Sequence, residues 1–563
     1  MKNIFIKIVM MSGVLLYMSS CDDFLNINED PNNPITAPLS QLLTSVQVDA
    51  GGALGNSIGG LSAIPQAYMH QVFQRGTTEQ DYAVNGSDFE VITAWNILYT
   101  RALMDNELII SQAGNAGAND YKGIAQIMKG YIFSQLVDTY GDVPFSEAFQ
   151  GTVNPSASYD DDEAVYDEVM ALLDSGILSL NNVNLATVGA DDLFYGGDLD
   201  KWRKFAKSVK FKLYTQLRLV RDVSTEVDAL LAEGDMISSM ADDFELQYST
   251  SVSPENRNPV YVQEYSPGAA QFYINPYFYE VLAGLNTFGH RGYGVQVGVV
   301  DPRIPYYFYN QLAPGAVAEN PCAYCPPEAQ PAGSSGAGVG ALANTGFLSI
   351  YMFSFNIDPN EGFAQGVSQS IMGLYPAGGR YDDGAGVAVN FNGDGSTPQR
   401  FLTHFAMKFL EAELYQTGEA TGDARTAFME AMQAAFDKVN EVVTTAGVTA
   451  QSIPTIDQAD IDTYIAAIMA DYDATDDAGK LEHIMTQKWI ASFGFATDSY
   501  TDFRRTGFPV LHDGNTDALS VTSRTRDFPF SLPWVDANLS INQNSPEQKL
   551  IATDAARIFW DLN

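Results

Sequence analysis

The residues of this chain that could do chemistry are mainly aromatic and hydrogen-bonding side chains in irregular segments. Sugar rings present flat C–H faces that pack on tyrosine rings, while arginine and aspartate side chains bind hydroxyl groups. The residues that fit this chemistry and could bind a ligand are Tyr82, Tyr265, Tyr293, Arg380 and Tyr381. They predict a carbohydrate-binding surface; the alternative is that each ring only packs its own loop.

Signatures of catalysis and of bound cofactors are weak by comparison. The chain has no HExxH zinc motif and no phosphate-binding P-loop. The run GAGVG at 336–340 lacks the glycine spacing of a dinucleotide loop, and NFNGDG at 390–395 has Phe401 where a calcium loop needs glutamate. We therefore predict no catalytic residue, metal site or cofactor. A glycosidase stays an alternative, because paired carboxylates can always be chosen from 69 acidic residues.

The sequence around Cys21 predicts the location of the protein. It follows a basic start, an apolar run of 11 residues at 8–18 and two serines, which is the arrangement of a bacterial lipoprotein signal. The apolar run is too short to span a bilayer as a helix. We therefore predict a signal peptide at 1–20 and acylation of Cys21, which would tether the protein to a membrane.

Cys322 and Cys325 form a single CxxC between prolines, in PCAYCPPE. A closed zinc site needs four ligands, and one CxxC supplies two. Because export leads out of the reducing cytosol, a local disulfide is favoured, with free thiols or a metal as alternatives.

Charge and composition exclude one class of partner. The chain of 563 residues has a net charge of −39, so its surface repels nucleic-acid phosphates and we expect no nucleic-acid partner. Hydrophobic residues make up 46% of the chain, which is enough for a large core.

Two helical regions must position the candidate residues. Helical spacing of apolar residues predicts helices over about 40–230 and 400–495, including 90–112, 119–139, 160–180 and a helix from Leu199. Asp160 and Glu163 predict a capping pair, and Gly418 predicts a helix end. The predicted apolar stripes are Val165, Val169, Leu172, Leu173, Ile177 and Leu180, and Trp202, Phe205, Val209, Leu213, Leu217 and Val220.

Short links between these helices imply antiparallel hairpins of tetratricopeptide type, although no strict 34-residue repeat is visible. The segments at about 240–400 and 500–545 are rich in glycine, proline and aromatic residues, and we expect loops there. Eight basic residues between Lys201 and Arg221 predict either a helix face compensating nearby acids or a partner surface.

Five motifs in order resemble one known family. They are CDDFLNINEDPNNP from Cys21, LVDTYGDVPFSEAF at 136–149, FYGGDLDKWRKFAKSVKFKL at 194–213, QKWIASFGFATDSYTDFRRTGFP at 487–509 and RIFWD at 557–561. Together they resemble the SusD/RagB-like nutrient-binding lipoproteins of the Gram-negative outer membrane. Lys207 is a departure, because the family has asparagine there. In the fourth motif, Asp502 could pair with Arg504 or Arg505 while Gly507 turns the chain.

The resemblance implies a mostly α fold in a single domain at 21–563, with tetratricopeptide-type helix pairs as scaffold and loops as ligand-binding face. It implies a lipid anchor in the outer membrane, facing outwards, and a SusC-like TonB-dependent transporter that receives the ligand. The family binds oligosaccharides most often and peptides in some members, so a peptide ligand stays an alternative. It carries over no individual ligand residue.

Overall fold

The computed structural model describes most of the chain, and every structural statement below concerns those residues. They are 37–74, 82–265, 271–285, 296–312, 345–349, 352, 368–386, 393–446, 451–511 and 527–563. Helices dominate these stretches, so the predicted mostly α fold is confirmed. None of the helices within them is both long and apolar enough to cross a membrane.

The first helical region follows the prediction closely. Its helices are Leu39–Leu54 (α1), Ala63–Tyr68 (α2), Phe89–Ile97 (α3), Leu103–Ala116 (α4), Asn119–Tyr140 (α5), Asp162–Leu180 (α6), Leu199–Leu217 (α7) and Ser224–Glu233 (α8). A π-helical segment, Leu98–Ala102, joins α3 to α4. Helices adjacent in sequence pack together from α4 to α8. The tetratricopeptide type of these pairs stays a prediction.

The predicted cap of α6 is wrong by one residue. Asp161 is the N-cap, and its side chain accepts a hydrogen bond from the Ala164 amide at 3.2 Å. Asp160 instead pairs its backbone with Val143, and its carboxylate accepts the Phe145 amide at 2.8 Å. This backbone bridge holds Asp160 in an extended conformation, so the helix begins one position later.

The two predicted apolar stripes are largely confirmed. On α6, Leu172 and Ile177 are only half-buried, while the other four are buried. On α7 the whole stripe up to Leu217 is buried, but Val220 lies beyond the end of the helix. Both helices therefore use these faces to form the main core.

The basic residues between Lys201 and Arg221 mostly pair with acidic residues, as predicted for a helix face that compensates nearby acids. Lys207, the departure from the family pattern, bonds Glu233 and Asp235, the latter at 2.9 Å. Arg221 bonds Glu163 at 2.8 Å. The wider set of ion pairs joins Arg203 to Asp200, Lys204 to Asp242, Lys210 to Asp174, Lys212 to Asp498 and Arg218 to Glu413.

The middle of the chain is loop-rich, as predicted, but it also contains short strands that the sequence does not reveal. The antiparallel pairs are Val72–Gln74 (β1) with Phe272–Ile274 (β3), Phe244–Leu246 (β2) with Gln399–Leu402 (β6), and Phe308–Tyr309 (β4) with Ile371–Met372 (β5). Short helices accompany them at Pro259–Tyr265 (α9), Pro276–Leu282 (α10), Ile304–Tyr307 (α11) and Leu374–Ala377 (α12), with a 3-10 turn at Met240–Asp242. Strands of two to four residues are too short to give a periodic pattern.

The second helical region spans His404–Thr417 (α13), Ala424–Thr445 (α14), Gln458–Ala474 (α15), Asp477–Ala491 (α16) and Thr497–Thr506 (α17). Gly418 ends α13 at φ +89°, as predicted. Near the C-terminus are a short helix at Asp536–Ile541 (α18) and a 3-10 turn at Asp554–Ala556.

Buried charges join the two helical regions. Glu413 on α13 accepts hydrogen bonds from Arg505 on α17 and from Arg218, just after α7, the latter at 2.9 Å. Arg505 also bonds Asp502 at 2.8 Å, which confirms the predicted pairing within the fourth motif, 487–509. Gly507 ends α17 at φ +75°. The motif therefore holds the scaffold together.

Candidate ligand-binding site

Tyr265 and Arg380 lie together, although 115 residues separate them in the sequence. Tyr265 ends α9, and its hydroxyl donates to the Met372 carbonyl at 2.8 Å and accepts the Arg380 amide at 2.9 Å. Burial raises the pKa of Tyr265 well above its ordinary value, so the hydroxyl stays a donor. This tyrosine therefore fixes the backbone position of Arg380.

The ring of Tyr265 belongs to a small core separate from the main one. It stacks on Tyr261 at a centroid distance of 5.0 Å, and Tyr309 and Ile371 complete this core, which we call the tyrosine cluster. The Arg380 guanidinium lies 4.9 Å from the centroid of the Tyr309 ring. Because Tyr265 is buried, its ring packs within the fold and does not line a surface.

Tyr381 lies at the exposed edge of the same region. Its half-buried ring packs on Tyr306 at 4.9 Å. Its backbone N–H donates to Gln451 Oε1 at 3.1 Å, and its carbonyl accepts from Gln451 Nε2 at 2.9 Å. Gln451 also donates to Asp383, which forms an ion pair with Arg380 at 3.3 Å.

We call Arg380, Tyr381, Asp383 and Gln451 the ledge. It combines a guanidinium, a ring, a carboxylate and an amide at one partly exposed edge, which are the groups that bind hydroxylated ligands. Partial burial opposes ionisation of Asp383, but hydrogen bonds from Gln451 and the Ala385 amide, with the charge of Arg380, hold its pKa below the ordinary value. Asp383 is therefore an ionised acceptor at neutral pH.

Tyr82 lies in a different place from the ledge. Its ring is buried in the main core, edge-on to Tyr68 and to Phe528, each at 5.5 Å. Its hydroxyl shares a hydrogen bond of 2.6 Å with His70 Nε2. The fold therefore brings together Tyr265, Arg380 and Tyr381, and puts Tyr82 in the separate main core.

The remaining predicted residues lie outside the described part of the chain. These are Cys21, Tyr293, Cys322 and Cys325. Lipidation, ligand contact by Tyr293 and the disulfide therefore stay predictions.

Sequence reasoning missed several members of this site. Tyr306 and Tyr309 lie in an aromatic-rich run, PRIPYYFYNQ, but nothing in that run distinguishes the tyrosine that packs on Tyr381 from the one beneath Arg380. Gln451 gives no signal in the sequence, because it reaches Tyr381 across 70 positions.

Two groups of residues resemble a catalytic or a metal-binding site, but their structural context does not fit either role. Residues 55–59, GNSIG, have the spacing of a serine-hydrolase elbow, but they follow helix α1 and not a strand. Within the described stretches, the carboxylates of Asp142, Asp161 and Asp162 lie close enough to bind an ion. Each, however, accepts a hydrogen bond from a backbone amide, and burial raises the pKa of Asp162 to about 6.

One protein family matches most of this chain. The SusD-like family model, described as starch-binding and associating with the outer membrane, matches residues 31–314 and 361–529. Among curated protein sequences, none matches the chain.

Solved structures share the fold. A SusD homologue from Bacteroides fragilis is 17% identical, covering 93% of this chain and 99% of its own, with a TM-score of 0.64. A SusD/RagB family protein from Bacteroides thetaiotaomicron is 19% identical, with coverages of 94% and 100% and a TM-score of 0.63. A chitin-binding SusD homologue from Flavobacterium johnsoniae is 17% identical, with coverages of 93% and 99% and a TM-score of 0.61.

Proposed function

The chain belongs to the SusD-like family of starch-binding proteins that associate with the outer membrane, and from this premise we propose its function. We propose that it is a cell-surface lipoprotein that captures an oligosaccharide and passes it to a SusC-like TonB-dependent transporter. A signal peptide at 1–20 would be removed, Cys21 would carry the lipid anchor, and residues 21–563 would form one binding domain. The family match over most of the chain is the observation that carries this proposal.

We place the ligand at the ledge. Arg380 and Asp383 supply a charged donor and a charged acceptor, Gln451 supplies an amide, and the half-buried ring of Tyr381 supplies a partly apolar face. The tyrosine cluster beneath holds Arg380 in position, which reduces the entropy lost on binding.

The carboxylate of Asp382, next to the ledge, is consistent with binding without catalysis. Asp382 could act as an acid, because burial raises its pKa. However, its Oδ2 accepts the Asn310 amide nitrogens at 2.9 and 3.3 Å, and its Oδ1 accepts the Gly384 amide at 3.2 Å. We infer that Asp382 stabilises the loop and does not transfer a proton.

Titration calorimetry with starch and chitin oligosaccharides tests the proposal. We expect binding by the native protein, with Arg380→Ala and Tyr381→Ala each about tenfold weaker. Arg425→Ala is the matched control for the arginine, because Arg425 also pairs with a carboxylate, Asp473, but on α14 and α15. Tyr214→Ala, a half-buried tyrosine on α7, is the control for the ring.

Other outcomes would redirect the proposal. Release of shortened sugars from a labelled oligosaccharide would favour a surface glycosidase. Binding of peptides and of no sugar would favour a peptide-binding member of the family. Equal affinity in the ledge variants and the native protein would remove the ledge from the site.

A further inference from the structure

A concave region outside the ledge lies in the helical part of the chain. It is a cleft of about 280 Å³ between α3, the π-helical segment, the loop at 144–157 and α18. We call it the Tyr99 cleft, and the residues that matter for its chemistry are Trp95, Tyr99 and Phe149 in its wall and Asn96, Gln150 and Asn538 among its polar groups. Its volume is just below the range of about 300–1,000 Å³ typical of small-molecule pockets.

Aromatic rings form an apolar wall in this cleft. The rings of Tyr99 and Phe149 are near-parallel, with an interplanar angle of 20° and centroids 6.0 Å apart. Trp95 lies behind Tyr99 at 4.6 Å and is buried, whereas Tyr99 and Phe149 are only half-buried. The Tyr99 hydroxyl donates to the Pro144 carbonyl at 2.9 Å, which fixes its ring. Both rings thus stay partly open to the cleft.

The backbone departs from regular geometry at both of these rings. The π-helical segment Leu98–Ala102 interrupts the helical run at Tyr99. Phe149 has a φ of +64°, in the left-handed region that bulky residues rarely adopt. Such departures occur often at binding sites, where surrounding contacts hold a side chain in a position that regular structure would not give it.

Side-chain amides supply hydrogen-bonding groups at the cleft. Asn538 Oδ1 accepts the Tyr159 hydroxyl at 2.6 Å, which orients this amide and keeps its Nδ2 as a donor. Asn96 and Gln150 are exposed, and no protein group in the described stretches bonds their side-chain amides. These amides can therefore donate to and accept from ligand hydroxyls without breaking a bond in the fold.

The charged residues that line the cleft indicate which class of ligand it could bind. Glu147 is the charged residue among those that line it, and its Oε2 accepts the Ser158 amide at 2.9 Å. The lining contains no arginine, lysine or histidine to bind a phosphate or a carboxylate. Flat rings with neutral amides suit an uncharged, hydroxylated ligand.

We propose that the Tyr99 cleft is a second carbohydrate site, which holds a short segment of a neutral oligosaccharide. A sugar C–H face packs on Tyr99 and Phe149, and Asn96, Gln150 and Asn538 bind the hydroxyls. This inference rests on the proposed function and adds a site formed by residues outside the ledge.

The test uses two cleft variants of the full chain. Asn96→Ala with Gln150→Ala removes two exposed amides and leaves the core intact. Phe149→Gly removes the ring at a position whose φ glycine adopts freely. Asn182→Ala, an exposed asparagine in the loop after α6, is the matched control. Maltoheptaose, chitohexaose and a tetraalanine peptide are titrated into each protein, and into the Arg380→Ala, Tyr381→Ala double variant of the ledge.

We expect the ledge double variant to retain binding of one of the sugars, and either cleft change added to it to weaken that binding about tenfold. Unchanged affinity in the cleft variants, with loss in the ledge variants, would overturn the second site and leave the proposed function standing. An effect confined to the peptide would overturn the carbohydrate assignment of the cleft. A native protein that binds neither sugar would overturn the proposed function and this inference together.

Discussion

Two buried glutamates, one in the helical scaffold and one in the loop-rich part of the chain, are held by different interactions. In the scaffold, Glu413 on α13 is buried between Arg505 and Arg218, which come from α17 and from the end of α7. These two guanidinium groups outweigh the effect of burial and hold the pKa of Glu413 below its ordinary value. The carboxylate is therefore ionised, and its position depends on three separate helical elements.

In the loop-rich part, the pKa of a buried glutamate is shifted in the opposite direction. Glu264 on α9 accepts the backbone amides of Gln271 at 2.7 Å and Phe272 at 2.9 Å. Burial raises its pKa to about 7, so its protonated form persists far into the neutral range. The hydroxyl of neighbouring Tyr265 likewise bonds a backbone carbonyl and a backbone amide.

The difference indicates how the surroundings of the two glutamates tolerate substitution. Buried ion pairs join particular helices, so removing one partner leaves a costly charge behind. Hydrogen bonds to backbone groups do not depend on the identity of the partner residue. Around Glu264 and Tyr265, the side chains of the partner residues can therefore change at small cost.

The largest effect should come from breaking the scaffold network. Glu413→Ala leaves Arg505 and Arg218 buried without this partner, and we expect a loss of about 3–5 kcal/mol in the free energy of unfolding. Chemical denaturation measures it. Asp473→Ala, which breaks the exposed pair with Arg425, is the control and should cost at most about 1 kcal/mol. Similar losses in both variants would show that burial does not make the stability of the scaffold more dependent on Glu413.

The second-largest effect should be a pH-dependent change in stability that is caused by Glu264. A folded pKa above the unfolded value of about 4.3 means that folding favours the protonated carboxyl. The native protein therefore loses stability as pH rises from about 4.3 to about 7, and the loss levels off above that pH. Glu264→Gln stays neutral at every pH. Between about pH 5 and pH 8, we expect the native protein to lose up to about 3 kcal/mol of stability relative to this variant. A constant difference between the two denaturation series would show that Glu264 is ionised throughout.

A smaller effect should follow Tyr265→Phe. The variant loses the hydroxyl that joins Met372 to Arg380, and we expect about 1–2 kcal/mol less stability and weaker sugar binding at the ledge. Tyr500→Phe is the matched control, because its hydroxyl donates to the Pro529 carbonyl at 2.7 Å in the main core. It should lower stability similarly and leave sugar affinity unchanged. Equal affinity in both variants would separate Tyr265 from the ledge.

The smallest effect should come from Lys207→Asn, which restores the residue typical of the family. Lys207 pairs with two half-exposed carboxylates, Glu233 and Asp235. We expect a change of at most about 1 kcal/mol in the free energy of unfolding. A loss as large as that of Glu413→Ala would mean that surface pairs hold the scaffold as strongly as buried ones.

Most helices were predictable because their signals are local. The stripe from Trp202 to Leu217 repeats within one helix, and Gly418 ends α13 through its own backbone conformation. The error at Asp160 shows the limit of such signals. Its partner Val143 lies 17 positions away, and that pairing moved the start of the helix.

The candidate site was predictable only in part. Arg380 and Tyr381 were chosen from their residue types, and they do lie together in the loop-rich part. Tyr82 was chosen on the same grounds, but it packs in the main core. The sequence does not distinguish Tyr99 from a core residue, because its spacing of four from Trp95 is typical of one buried helix face, whereas its ring is only partly buried beside the cleft.

The sequence by itself determined the positions of the helices, their apolar faces and the family of the protein. These properties depend on residue types within a few positions of each other, or on motifs that keep their order. Tertiary structure alone decided which tyrosines share an edge with Arg380, and why the pKa of Glu413 is lowered whereas that of Glu264 is raised. These outcomes depend on contacts across tens to hundreds of positions, where burial and neighbouring charge are set by packing and not by the local chain.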